Sequence, residues 1–143
     1  EVLLISSKGP TPAGWVSEAD LNELADLLAT SQSPSVAFCH HNPLPINGYL
    51  DKHMLENGPQ LLNVLHNSAL VRQLFHGHVH NDYQFKFRSI EIFATPASSV
   101  QFTKYTDDWQ QHNAGPGYRL LTISKPTNSA KLLINSELMW PNE

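Results

Sequence analysis

Apolar residues fall in short blocks that polar or proline-containing segments separate. Three of these blocks predict buried strands, at Val2–Ser6, Ser35–Cys39 and Val71–Phe75. Two stretches place their leucines on one helical face and predict helices over Ser17–Ala29 and Pro59–Asn67. The first half of the chain therefore alternates strand and helix.

Paired strands replace this alternation in the second half. Tyr83–Phe87 and Ile90–Ala94 flank Arg88-Ser89 and predict a hairpin. A second strand pair is predicted at Tyr118–Ile123 and Lys131–Ile134. The turn between these strands is expected at Pro126-Thr127-Asn128, and two longer segments are expected to be irregular, Pro43–Gly58 and Thr103–Pro116. Strand–helix alternation followed by hairpins predicts an α/β fold, with a mixed sheet and flanking helices.

Composition narrows the class of protein. The 143 residues carry a net charge of −4, which argues against a nucleic-acid partner because such proteins usually present a basic stripe. The single cysteine, Cys39, excludes an intramolecular disulfide and a cysteine-rich zinc site. The sequence contains no apolar run of about 18 residues, so it predicts no membrane span. We expect a cytoplasmic protein, and the missing initiator Met suggests a piece cut from a longer chain.

Histidines provide the candidate chemistry. Five of the eight lie in two groups directly after predicted strands, His40-His41 and the run that contains His76, His78 and His80. Ligand sites of open α/β sheets lie at the carboxyl ends of strands, and neutral imidazole is a common metal ligand. Gly77 permits a turn that would let two nearby histidines chelate. We therefore predict a metal site that contains His40, His78 and His80.

A rival motif starts at the same place. His78-Val79-His80-Asn81-Asp82 matches the first five positions of the His-x-His-x-Asp-His signature of metallo-β-lactamase-like hydrolases. Position 83 is Tyr rather than the final histidine, and the upstream His-His-Asn-Pro has no place in that pattern. This motif is the weaker fit.

A resemblance to a known family rests on four runs of the chain: Ala37–Pro45, Phe75–His80, Ala94–Phe102 and Gly115–Arg119. They resemble the carboxyl-terminal part of calcineurin-like metallophosphoesterases. Within that superfamily they are most similar to the bacterial class III (Icc-type) 3′,5′-cyclic AMP phosphodiesterases. The resemblance implies half of a four-layer α/β/β/α sandwich, with residues 1–143 forming one domain whose amino-terminal part is absent.

The resemblance also implies roles for individual residues. His40 and His78 would bind one metal ion, and His80 would bind the other. His41, Asn42 and Gly77 would lie in the pocket without binding metal. The remaining histidines receive no role: His53, His66, His76 and His112.

The family's Asp-x-His, Gly-Asp and Gly-Asn-His blocks, which supply the other ligands and the leaving-group acid, are expected before Glu1. No catalytic set is therefore complete in this chain. The full enzyme would hold two Fe, Mn or Zn ions and hydrolyse cyclic nucleotides such as cAMP. We expect this chain alone to bind at most one ion, loosely, and to show negligible activity.

Two other functions stay open. The chain could be a non-catalytic interaction module with a vestigial metal site, or a related phosphodiesterase with another substrate. The sheet face that the missing half would cover is expected to be exposed, and an exposed apolar face tends to bind a partner. We therefore expect a homodimer through this face.

Overall fold

The computed structural model describes residues 1–127 and 132–141. Its main sheet has five strands in the order β1-β2-β3-β5-β4. These strands are β1 (Val2–Leu4), β2 (Ser35–Cys39), β3 (Val71–His76), β4 (Gln84–Phe87) and β5 (Ile90–Ala94). Strands β1, β2, β3 and β5 run parallel, and β4 pairs antiparallel with β5. The prediction of an α/β fold with a mixed sheet is confirmed.

Two helices cover one face of this sheet. Helix α1 spans Glu18–Thr30, and helix α2 spans Gly58–Asn67. The side chain of Ser17 accepts a hydrogen bond from the backbone N–H of Asp20 at 3.0 Å and so caps the start of α1. Proline in the first turn favours the start of α2, because proline lacks the N–H that would have no partner there.

The core lies between the helices and the sheet. Its fully buried leucines and isoleucines come from both α2 and the strands and include Leu61, Leu62, Leu65, Leu74 and Ile92. Side chains alternate between the two faces of a strand, so the neighbours of the core residues lie on the other face. That other face carries a row of stacked aromatic rings, with centroids 5.5 and 5.2 Å apart: Phe38, Phe75 and Phe93.

Two small antiparallel pairs lie outside the main sheet. Strands β6 (Gln101–Phe102) and β7 (Gln111–His112) form one, and β8 (Tyr118–Ser124) and β9 (Leu133–Met139) form the other. No helix among the residues described is long and apolar enough to cross a membrane.

The structure departs from the predicted pattern in several places. A 3-10 helix occupies Tyr49–His53 within the segment expected to be irregular, and β7 falls inside the second such segment. A five-residue turn and a two-residue strand are too short to produce a hydrophobic period. Strand β9 begins at Leu133 and continues to Met139, with Asn135 and Glu137 exposed in alternation with half-buried residues. The predicted positions Asn128 and Lys131 lie outside the residues described.

Candidate metal centre

The candidate site lies at the carboxyl edge of the sheet, where β2 and β3 end side by side. Cys39 and His76 are paired in the parallel register, so the residues that follow each strand are neighbours. The backbone N–H of Gly77 donates to the carbonyl of His40 at 3.1 Å and extends this pairing past the strands. Both histidine groups therefore lie at the carboxyl edge of the sheet, as the sequence predicted.

Three histidines converge at this edge. One ring nitrogen from each of His40, His41 and His78 lies within 4.8 Å of the others. The ring centroids of His40 and His78 are 5.2 Å apart, and those of His41 and His78 are 4.7 Å apart. Imidazole nitrogens grouped in this way are the ligands that zinc, iron and manganese sites use.

His78 shows most directly that the group fits a metal ion. Its Nε2 is buried and has no hydrogen-bond partner in the part of the chain that the structure describes. A buried polar atom without a partner costs about 1–3 kcal/mol, and a water molecule or an ion at the site would remove that cost. Burial, assisted by the charges of His41 and His40, lowers the pKa of His78 to about 4. The ring is therefore neutral near pH 7, which is the form that binds metal.

The turn that aims these rings is made by the histidines themselves. His78 has a φ of 66° and His80 a φ of 46°, both in the left-handed region. The N–H of Val79 donates to the carbonyl of Gly77 at 2.8 Å, which closes a tight γ-turn around His78. Gly77 was expected to supply this flexibility, but its φ is not positive. Its hydrogen bond to His40 keeps it in line with the sheet, so the turn falls one residue later.

His80 lies beside the three-histidine group and is not one of its members. Its Nδ1–H donates to the carbonyl of Val100 at 2.8 Å, and its ring stacks on Phe102 with centroids 4.4 Å apart. A carbonyl that holds one ring nitrogen of a histidine leaves Nε2 free to bind metal, as in many metal sites. Burial lowers the pKa of His40, and the charge of His80 lowers it further. The role of His80 as a ligand stays a prediction.

His41 is supported from behind by two residues that the sequence analysis missed. The hydroxyl oxygen of Ser7 lies 2.8 Å from Nδ1 of His41. A Cβ on Gly14 would lie 2.5 Å from Cγ of His41, so the loop before α1 packs directly on this ring. Burial and the charge of His40 lower the pKa of His41, while the backbone of Pro12 and Ser7 opposes that shift.

The other pocket residues have mainly structural contacts. Asn42 is fully buried, and its side-chain N–H donates to the carbonyl of Leu44 at 3.0 Å. The sequence contains one Asp-x-His triplet, Asp51–His53, so the expectation that this pattern occurs only before Glu1 is wrong. Asp51 accepts from the backbone of Ile46 at 2.7 Å and so holds the 3-10 helix, and it is not a member of the histidine group. The charge of His53 contributes to the lowered pKa values of His41 and His78.

His76 was given no role from the sequence, and the structure buries it. Its Nδ1–H donates to the carbonyl of Gly77 at 3.0 Å, while Nε2 is buried without a partner among the residues described. Burial lowers its pKa to about 4. His76 and Arg119 line a cavity of about 220 Å³ on the face opposite the helices.

Two of the runs that carried the resemblance stabilise the loop after β5. The Gln101 side chain donates to the carbonyls of Ala97 at 2.7 Å and Gly115 at 2.9 Å. Arg119 donates to the carbonyl of Ala94 at 2.9 Å and lies over the ring of Phe93. This loop supplies the Val100 carbonyl that orients His80, so these runs support the candidate site indirectly.

Known proteins match between 85% and 100% of this chain, although no family model matches it. A probable cyclic nucleotide phosphodiesterase of Pseudoalteromonas sp. is 58% identical over 143 residues, which are 100% of this chain and 54% of that protein. The 3′,5′-cyclic adenosine monophosphate phosphodiesterase CpdA of Escherichia coli is 31% identical over 126 residues, 86% of this chain and 46% of CpdA. This chain is a homologue of proteins named cyclic nucleotide phosphodiesterases.

CpdA of Vibrio vulnificus gives the same result, with 31% identity over 124 residues, 85% of this chain and 45% of CpdA. The resemblance to phosphodiesterases that the histidine runs indicated is thereby confirmed. The chain spans about half the length of the curated relatives it matches. These relatives are named phosphodiesterases, and the histidine group of this chain could hold a metal ion.

Proposed function

We propose that this chain supplies metal-binding histidines to a phosphodiesterase that hydrolyses 3′,5′-cyclic nucleotides, cAMP among them, to nucleoside monophosphates. The observation that carries the proposal is the buried Nε2 of His78, which has no partner in the described structure and belongs to a three-histidine group at the sheet edge. The names of the relatives support the substrate class.

In this proposal His40 and His78 hold one metal ion and His80 holds the other. Bound Fe, Mn or Zn ions would supply Lewis acidity and a water molecule of lowered pKa. The protein's own contribution is orientation: the γ-turn around His78 aims its ring, and the Val100 carbonyl fixes the ring of His80. Burial keeps His78 neutral and therefore able to bind metal.

The lack of negative charge in the histidine group suggests that the isolated chain binds metal weakly. The histidine group contains no carboxylate among the residues that the structure describes. Imidazole ligands alone carry no negative charge to compensate a divalent ion, so we expect at most one loosely bound ion. We also expect negligible hydrolysis of bis-p-nitrophenyl phosphate with manganese by the 143-residue chain. Robust turnover by the purified chain would contradict this expectation.

A chimera tests the proposed function directly. The 143 matching residues of the Pseudoalteromonas relative would be replaced by this chain, which is 58% identical to them. We expect the chimera to hydrolyse cAMP with manganese, and its His78→Ala variant to lose that activity. A folded chimera that is inactive on cAMP but cleaves other diesters would favour the related phosphodiesterase of different specificity. Activity that survives His78→Ala would overturn the proposed role of the histidines.

We also propose that the chain is the carboxyl-terminal part of a single four-layer sandwich domain. The exposure of two apolar residues of edge strand β1 supports this proposal, because the missing part would cover them: Leu4 is 81% exposed and Val2 is 58% exposed. Leu4 pairs with Phe38 in the register and so lies on the face opposite the helices. The homodimer expected through this face stays a prediction, and analytical ultracentrifugation of the chain checks it.

A further inference from the structure

Ser7 lies at the centre of a buried hydrogen-bond network behind the histidine group. Its hydroxyl oxygen accepts from the backbone N–H of His40 and of His41, each at 3.2 Å. The same oxygen lies 2.8 Å from Nδ1 of His41. Ser7 is only 3% exposed, so water does not replace these partners.

The number of donors and acceptors in this network favours one tautomer of His41. A serine hydroxyl has two lone pairs and one proton. The two backbone N–H groups occupy the lone pairs of Ser7, and its proton goes to the acceptor within reach, Nδ1 of His41. A neutral His41 then carries its own proton on Nε2. A protonated ring nitrogen has no lone pair to offer, so in this tautomer Nε2 of His41 is a donor and not a metal ligand.

Gly14 holds the His41 ring in the orientation that presents Nδ1 to Ser7. A Cβ on Gly14 would lie 2.7 Å from Nδ1 of His41, so the glycine backbone lies against the ring. The N–H of Gly14 donates to the carbonyl of Met54 at 3.0 Å, and its carbonyl accepts from Glu56 at 3.0 Å. The backbone beside the ring is therefore fixed from both sides.

We propose that Ser7 is a positioning residue that makes His41 a hydrogen-bond donor beside the metal site rather than a third ligand. The His41 ring lies 4.9 Å from the ring of His40 and 4.7 Å from that of His78. A donor at this distance suits an anionic oxygen held at the metal, such as a phosphate oxygen of the substrate. This role for His41 rests on the proposed function, whereas its tautomer does not.

Nitrogen NMR of the metal-free chain tests the tautomer. In a long-range proton–nitrogen correlation spectrum of the labelled protein, His41 is expected to show the Nε2–H pattern. Ser7→Ala is expected to mix the two tautomers, while Ser7→Thr keeps the hydroxyl and the wild-type pattern. An Nδ1–H pattern in the wild type, or an unchanged pattern in a folded Ser7→Ala variant, overturns the proposal. The wild-type spectrum decides alone if Ser7→Ala does not fold.

Zinc titration tests the second half of the proposal. Calorimetry on the 143-residue chain is expected to show at least about a tenfold loss of zinc affinity in His40→Ala, a loss of the size typical for disturbed metal sites. His41→Ala is expected to retain the wild-type affinity. An equal loss in both variants makes His41 a ligand and overturns the proposal. If the wild type binds no zinc, the proposed metal site fails, and the NMR result still decides the tautomer.

Discussion

The helix-covered face of the sheet and its carboxyl edge are built in opposite ways. On the helix face, Leu61, Leu62 and Leu65 are fully buried against other apolar side chains. At the edge, His78 combines a left-handed backbone with a buried Nε2 that has no partner in the described structure. One region maximises packing, and the other tolerates strain at the residues that the proposed function uses.

The magnitudes show that the fold sustains this strain. A left-handed conformation costs a non-glycine residue about 1–2 kcal/mol. A buried polar atom without a partner costs about 1–3 kcal/mol. Burial of one leucine side chain contributes about 1.5–3 kcal/mol, so two core leucines offset the cost at His78. Strain that persists in this way is typical of functional sites.

The largest effect is expected on the helix face. Leu62→Ala removes a fully buried side chain and leaves a cavity, so we expect the free energy of unfolding to fall by about 2–5 kcal/mol. Urea denaturation followed by circular dichroism measures this change. Zinc affinity of the folded fraction should stay at the wild-type value. A loss of affinity that parallels the loss of stability would show that the two regions are not independent.

Low pH should reduce the free energy of unfolding, because buried histidines at the carboxyl edge of the sheet become protonated on unfolding. Burial, assisted by the charges of His40 and Arg119 and opposed by the Gly77 carbonyl, lowers the pKa of His76 from 6.5 to about 4. Between these two values the unfolded chain binds more protons than the folded one, so stability is complete above pH 6.5 and is lost as the pH falls towards 4. The loss from His76 reaches about 3 kcal/mol.

Denaturation at pH 7, 6, 5 and 4 measures this dependence, with His76→Gln as the matched control that lacks the titrating ring. The control is expected to lose much less stability than the wild type over the same range. His78 has a pKa lowered in the same direction, so part of the dependence remains. Equal stability of the wild type at pH 7 and pH 5 would contradict the buried, neutral state of His76.

The same contrast explains which features the sequence could predict. Strand β2 and both helices follow from local apolar periods, and their observed bounds agree with the predicted ones within a residue. The adjacency of His40 and His78 follows from parallel strands ending at one edge. Ser7 was missed although it also follows a strand, because its partner His41 is 34 residues away and no local pattern records that contact.

The position of the left-handed turn at His78 could not be predicted from the sequence either. A glycine next to two histidines indicates where the chain can bend, and the prediction assigned the bend to Gly77. The residue that bends is decided by hydrogen bonds of Gly77 to His40 and of Val79 to Gly77. These bonds depend on the register between β2 and β3, which only the folded sheet defines.

Relief of the strain at the edge should raise stability while it removes the proposed function. His78→Gly eliminates both the strained side chain and the buried Nε2, and we expect the protein to gain about 1 kcal/mol after the entropic cost of glycine. Zinc affinity should fall at least about tenfold. Arg88→Gly is the matched control, since Arg88 has a φ of 54° in a hairpin turn that is not part of the three-histidine group. It should gain stability without losing zinc.

The smallest effect is expected at Gly77. Its φ is not positive, and the nearest atom to an added Cβ is Nδ1 of His40 at 3.6 Å, an ordinary contact. Gly77→Ala should therefore change the free energy of unfolding by less than about 1 kcal/mol, in the stabilising direction. Thermal denaturation checks this value. A large loss of stability in this variant would show instead that the turn needs glycine at position 77, as the sequence suggested.

The central claim is that His40 and His78 form a metal site at the sheet edge. Calorimetric titration of manganese or zinc into the wild-type chain and its His40→Ala, His78→Ala and His80→Ala variants tests it most directly. We expect at most one ion per wild-type chain and a shared loss of binding in His40→Ala and His78→Ala. Identical titration curves for the wild type and both of these variants would contradict it and would favour a vestigial site in a non-catalytic module.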